Sequence, residues 1–272
     1  LIADLRDRGL TLSTIRDLVD NDDPTRTVAS WLGIDAALRV PWSNDRPRIV
    51  TLDELRELVS DQTPGLLAEL HDVDVDDRFE DLADDGAPDG YLTRHLGRTR
   101  AWYDWSVAES GTRSPLVETA LDQLAASLPD DPGPTVLSWG DARIGNVVFD
   151  GFEPAAVLDW EMADLGPREL DLVWLTYSHR VFQDLAEVLA LPGLPGFLAI
   201  DDVIAAYESR SAHHVRDLDW HLEYAAVRWA CAFLRTGARE AYLNGTPLTD
   251  DGDSLLHNRG SLSALVDGTF RH

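Results

Sequence analysis

Ser138-Trp139-Gly140-Asp141-Ala142-Arg143-Ile144-Gly145-Asn146, then Val157-Leu158-Asp159-Trp160-Glu161, then Asp171, is the stretch on which the reading of this chain turns. Val136-Leu137-Ser138 predicts a short apolar strand. Residues 146–149 and 155–158, on either side of Asp150-Gly151, predict a β-hairpin. The hairpin gathers an Asp, an Asn five residues on and a second Asp thirteen residues further into one small unit. Asp141 follows a strand and a glycine, on a loop that Gly145 helps to bend. A carboxylate there can accept a hydrogen bond from a substrate hydroxyl and hold it in line with a terminal phosphate. Asn146 and Asp159 offer hard oxygen atoms which, with water and phosphate oxygens, suit magnesium and not zinc. The spacing is what a magnesium-dependent phosphoryl-transfer site needs.

Outward from this unit the pattern is helical. Thr51 and Glu54 form a capping box ahead of Leu52, Leu55, Leu58, Val59, Leu66 and Leu70, and Pro64 is expected to kink or split that helix. Residues 92–105 predict a second helix. Ser114-Pro115 opens a third, with Leu116, Ala120, Leu124 and Leu128 inward. After Pro167, helices are expected over 169–188, 201–209, 218–237 and 261–266. Residues 1–22 show a helix-turn-helix-like pattern, 23–50 read as connections, and the acid-rich 72–90 segment reads as solvated surface. Its Asp72-Val73-Asp74-Val75-Asp76 run lacks the Gly and Glu that a calcium loop requires.

Composition narrows the function classes. The 272 residues carry 49 acidic and 23 basic side chains, a net charge of −26, which disfavours nucleic acid and anionic membrane as partners and favours cationic ones. All of the basic residues are Arg, so a mechanism that elsewhere uses lysine needs a substitute here. No apolar run approaches the ~18 residues of a membrane span, and a single cysteine, Cys231, allows no intrachain disulfide, so a cytoplasmic location is expected. The chain opens on Leu1 and not on Met, which predicts residues upstream of it. His213, His214 and His221 could be a metal cluster, but their place at the entry to an amphipathic helix favours surface or groove positions. Trp220, Tyr224, Trp229 and Phe233 fall at near-helical spacing and read as core.

The order Trp139-Gly140-Asp141, Asn146, Asp159, Asp171 resembles the aminoglycoside phosphotransferase family, the small-molecule branch of the protein-kinase-like fold. That family's pattern is His-Gly-Asp, four residues, Asn, a strand ending in Asp, then an Asp at a helix start. The run from Leu137 to Leu172 is similar to a bacterial branch related to the kinase-like domain of acyl-CoA dehydrogenase family members that act on hydroxyacyl-CoA. Leu67-Ala68-Glu69-Leu70-His71 also resembles a helix end of the family. The resemblance spans roughly residues 51–260. It implies an α+β, protein-kinase-like architecture: a mostly helical C-terminal lobe over 51–272 with a small catalytic β-hairpin, and residues 1–50 as a remnant of, or link to, a nucleotide-binding lobe.

The resemblance also implies roles. Asp141 would be the catalytic base or hydroxyl-orienting group, with Arg143 in the same loop neutralising phosphate charge or pairing with an acid. Asn146 and Asp159 would hold magnesium on ATP or GTP, Asp171 would brace the loop through backbone hydrogen bonds, and Glu161 would face a second metal or the substrate. Trp139 stands where the family has His and is expected to brace the loop by packing. The expected activity is transfer of a phosphoryl group to a hydroxyl of a small molecule, an antibiotic or a metabolic compound, with a cationic acceptor favoured by the acidity. No Gly-x-Gly-x-x-Gly, Lys or run of strands precedes residue 51, so the nucleotide-binding β lobe is expected to be absent or incomplete here. A non-catalytic kinase-like binding module is the alternative that this departure leaves open.

Overall fold

The computed structural model describes residues 52–76, 79, 82, 90–150, 153–188, 190, 194 and 196–271. The expected 1–50 segment lies outside them. The first helix, α1 (Leu52–His71), carries Pro64 inside it and is not split. Helix α2 (Tyr91–Ser110) runs five residues beyond the expected Trp105 and stops where Gly111, at φ 75°, turns its N–H back to the Val107 carbonyl. Helix α3 (Pro115–Ala126) starts as its sequence predicts, with the Ser114 side chain accepting the Val117 N–H and proline in the first turn.

Four short strands follow, in two antiparallel pairs. β2 (Val147–Asp150) and β3 (Glu153–Val157) form the expected hairpin, with Val147 opposite Val157 and an irregularity between Val148 and Phe149. β1 (Thr135–Ser138) pairs with β4 (Asp164–Pro167), setting Ser138 opposite Asp164. β4 was not expected from Asp164-Leu165-Gly166-Pro167, because glycine and proline signal a turn. It is extended because the edge of β1 supplies its hydrogen-bond partners. This second pair brings the chain back beside the start of the Asp141 loop.

Helices α4 (Glu169–Val188), α5 (Ile200–Glu208), α6 (Leu218–Asn244) and α7 (Arg259–Val266) complete the body. α6 is the central helix and packs on α2, α3, α4 and α7. Its Ala225, Ala226, Ala230 and Cys231 are buried, and such small side chains allow neighbouring helices to approach closely. From α4, Leu172, Val173, Leu175 and Tyr177 fill the other side of the core. Each fully buried leucine of this set contributes roughly 2 kcal/mol.

His221 corrects a sequence expectation. It is not a surface or groove residue but 1 % exposed in the first turns of α6, with Nδ1 on the Asp217 carbonyl at 2.9 Å. Burial pushes its imidazole down to about 4. His214, by contrast, is exposed. Trp220 and Tyr224 are core as read, whereas Trp229 and Phe233 are only partly buried.

Candidate active site

The loop between β1 and β2 is held from below by Asp171, in the first turn of α4 and wholly buried. Its carboxylate accepts the backbone N–H of Trp139 (2.7 Å) and of Gly140 (2.8 Å) and the Ser138 hydroxyl (3.0 Å). His71 Nε2 lies 3.2 Å away. Because an ionised carboxylate only accepts, that nitrogen carries the proton. His71 Nδ1 is hydrogen-bonded to the Tyr207 hydroxyl at 2.9 Å, and that hydroxyl oxygen accepts Arg168 Nε at 3.0 Å. The end of α1, α5 and the start of α4 thus meet beneath the loop in one buried network. The segment ending in His71 resembles a helix end of the family, but its local spacing assigns that residue no role at the site.

Two features fix the path of the loop. Gly140 sits at φ 82°, and a Cβ on it would lie 1.9 Å from the Met162 carbonyl oxygen. Trp139 is fully buried, and its indole N–H donates to the Leu158 carbonyl at 2.8 Å. That bond ties the loop to the residue before Asp159.

Asp141 is buried at the centre of the loop and its carboxylate accepts four donors. Arg143 grips both oxygens, through Nε (2.8 Å) and Nη2 (2.6 Å). Trp174 Nε1 donates to Oδ1 (2.8 Å) and Asn146 Nδ2 to Oδ2 (2.7 Å). Burial alone would raise this carboxyl; Arg143, Trp174 and Asn146 outweigh it and hold Asp141 below the usual carboxylate range. Trp174 was missed in the sequence. Its one signal is its place three residues after Asp171 on the same helix, which puts both on one face. Its ring also stacks on Trp229, with centroids 5.4 Å apart.

Asn146 turns its amide nitrogen toward Asp141, so its amide oxygen is the atom left to serve another partner. Its backbone carbonyl accepts the Leu158 N–H at 2.8 Å, which sets Asp159 one residue beyond a direct cross-strand link to Asn146. Asp159 is exposed and left-handed, at φ 58° and ψ 62°. Such a conformation costs an L-residue about 1 kcal/mol, least for Asp, Asn and Gly. Glu161 is exposed on the single 3₁₀ turn Trp160–Met162 and makes no hydrogen bond or ion pair among the described residues. The structure therefore joins Trp139, Asp141, Arg143, Asn146 and Asp171 by direct contacts or through the loop, links Asp159 through its neighbour, and leaves Glu161 apart. Among the described residues no three His, Cys, Asp or Glu side chains group to hold a metal by themselves. No described helix is long and apolar enough to cross a membrane.

A family model for the phosphotransferase enzyme family matches residues 43–203, more than half of the chain. The chain belongs to that family. This phosphotransferase-family chain is 27 % identical over 190 residues to acyl-CoA dehydrogenase family member 11 of Mus musculus, covering 68 % of this chain and 24 % of the mouse protein. Against the Gallus gallus protein of the same name, identity is 35 % over 112 residues, covering 40 % of this chain and 14 % of that protein. The phosphotransferase chain thus spans about a quarter, or less, of the length of these relatives. A solved structure from Ralstonia eutropha JMP134, described as a candidate aminoglycoside phosphotransferase, superimposes with a TM-score of 0.59 at 22 % identity, over 85 % of this chain and 69 % of that one. The fold is protein-kinase-like: a mostly helical α+β body with few, short antiparallel strands.

Proposed function

We propose that this phosphotransferase is a small-molecule kinase that moves the terminal phosphoryl group of ATP or GTP to a hydroxyl of its acceptor. The observation that carries the reading is Asp141. It is a buried carboxylate kept ionised by three neighbours, on a loop whose backbone is clamped by Asp171. An acid so easily ionised is a weak proton acceptor and a good orienting one. In phosphoryl transfer that is the larger requirement, since catalysis there is mostly alignment and charge stabilisation.

The acceptor hydroxyl donates to Asp141 and its oxygen faces the phosphorus. As the new P–O bond forms, the bond to the leaving diphosphate breaks, and the hydroxyl proton passes to Asp141 or onward to solvent. A carboxylate has about four lone-pair directions, and four donors already occupy them in Asp141. The hydroxyl must therefore displace one donor. Trp174 and Asn146 are buried, while the Arg143 side chain is 32 % exposed, so Arg143 is the donor that yields. Once released, its guanidinium is free to pair with phosphate oxygens, a task for which this lysine-free chain has only arginine.

The amide oxygen of Asn146 and the exposed carboxylate of Asp159 fit a magnesium ion that keeps most of its ligands as water and phosphate. When bound, the metal neutralises charge on the nucleotide phosphates. The strained backbone of Asp159 supports this reading, since left-handed non-glycine residues cluster at functional sites.

The test is a nucleotide-consumption screen over hydroxyl compounds, with Asp141→Ala beside the wild type. Asp141→Ala is expected to lose 10²- to 10⁴-fold or so in turnover. Unchanged turnover would sink the assignment. Failure of the full chain to bind millimolar nucleotide with magnesium would favour a non-catalytic binding module.

A further inference from the structure

Arginines concentrate around the loop that carries Asp141. Arg94 and Arg98, from α2, both bind Asp164, the second of them at 2.5 Å. Arg143 binds Asp141. Arg228, on α6, differs from these three: among the described residues no carboxylate lies within ion-pair distance of it, and no hydrogen bond engages its guanidinium. In a chain with 49 acidic residues and 23 arginines, an arginine without an acid is not a matter of shortage.

Its position is specific. The guanidinium carbon lies 4.4 Å from the centroid of the Trp174 ring and 5.8 Å from that of Tyr224. The same Trp174 donates its indole N–H to Asp141. Arg228 is therefore one indole away from the carboxylate that orients the hydroxyl. Contact with the ring faces holds a guanidinium in place but satisfies none of its five N–H donors. Arg228 is only partly buried, so those donors are within reach of a ligand. Beside it, the partly exposed rings of Trp229 and Phe233, with centroids 5.6 Å apart, form an aromatic surface that the buried Trp174 backs, stacked on Trp229 at 5.4 Å.

We infer that Arg228 anchors an anionic group, carboxylate or phosphate, of the acceptor, whose apolar body lies on the Trp229–Phe233 surface and whose hydroxyl reaches Asp141. Planar donors fixed by an aromatic face suit a two-oxygen anion. This assignment rests on the kinase reading for the position of the hydroxyl, and it runs against the cationic acceptor that the bulk charge suggests. Net charge sets the long-range field, whereas recognition is decided by the side chains the ligand touches.

Four six-carbon probes test it on the full chain by calorimetric titration without nucleotide: 3-hydroxyhexanoate, 3-hydroxyhexyl phosphate, the methyl ester of the acid, and an amino alcohol of equal length. The wild type is expected to bind at least one anion tenfold or more tighter than the ester and the amino alcohol, and the tighter anion identifies the group. In Arg228→Gln that preference falls below twofold while ester binding is unchanged, and Arg228→Lys keeps part of it. Absence of anion binding, a preference for the amino alcohol, or a preference that survives in Arg228→Gln would each overturn the assignment. If Arg228→Gln fails to fold, Arg228→Lys decides in its place, since a preference left whole in that variant would overturn the assignment. Because no nucleotide is present, loss of the kinase reading through Asp141→Ala leaves this result standing, and the reverse also holds.

Discussion

At the scale of single residues, the site depends on positions where one atom more or less decides. Gly140→Ala puts a methyl group against the Met162 carbonyl at a backbone angle that alanine avoids. Loss of several kcal/mol of stability, or a displaced loop with turnover lost, is the expected outcome; thermal unfolding and the nucleotide assay on one preparation distinguish the two. His71 shows how far such residues can sit in sequence from what they hold, a hundred positions before Asp171. His71→Ala leaves Asp171 with three donors and takes a hydrogen-bond partner from the Tyr207 hydroxyl, so faster hydrogen exchange at the Trp139 and Gly140 amides is expected. Unchanged exchange there would show that three donors suffice. Asp141, Asn146 and Asp171 were legible because they stand at fixed spacings around a hairpin. His71, Trp174 and Arg228 were not, because their contacts cross helices and no local spacing encodes that.

At the scale of elements, the starts of the helices follow from the sequence, because caps and apolar spacing are local, whereas two of their ends lie beyond the expected ones. α4 has the bounds its pattern predicts, and the Ser114-Pro115 start of α3 holds. α6 outran its expected end at Gly237, since one glycine costs a helix only about 1 kcal/mol and Ala238, Arg239, Glu240 and Ala241 beyond it are good helix formers. β4 was hidden for the opposite reason: its extended form is imposed by β1. The same helix α6 carries an unmatched charge. Glu223 has a buried Oε1 without a partner among the described residues, and burial pushes its carboxyl up to about 7. A carboxyl raised in the folded state favours folding least where it must ionise, above that value. Glu223→Gln is therefore expected to stabilise the protein at pH 8 and to change little at pH 5, as read by urea denaturation at the two values.

At the scale of the whole molecule, buried histidines link folding to pH. His221 is lowered to about 4 by burial, against an unfolded value near 6.5. Between those values the unfolded chain binds the extra proton, so stability falls as pH drops from 6.5 toward 4. His179, also lowered to about 4, acts in the same direction. Removing the group in His221→Gln should reduce the difference in unfolding free energy between pH 7 and pH 5 by about 2 kcal/mol. An unaltered difference would mean that His221 is not the group that titrates. The net charge of −26 has a separate and broader effect: added salt screens its self-repulsion without touching the buried pairs around Asp141 and Asp164.

The grip of Asp171 has one more outcome. It holds residues 139 and 140 by their main-chain N–H groups, a donor that every amino acid but proline supplies. A replacement at position 139 therefore keeps the clamp from Asp171 and loses only what the indole supplies, its tie to the Leu158 carbonyl. Glycine at 140 and the acid at 171 have no such licence.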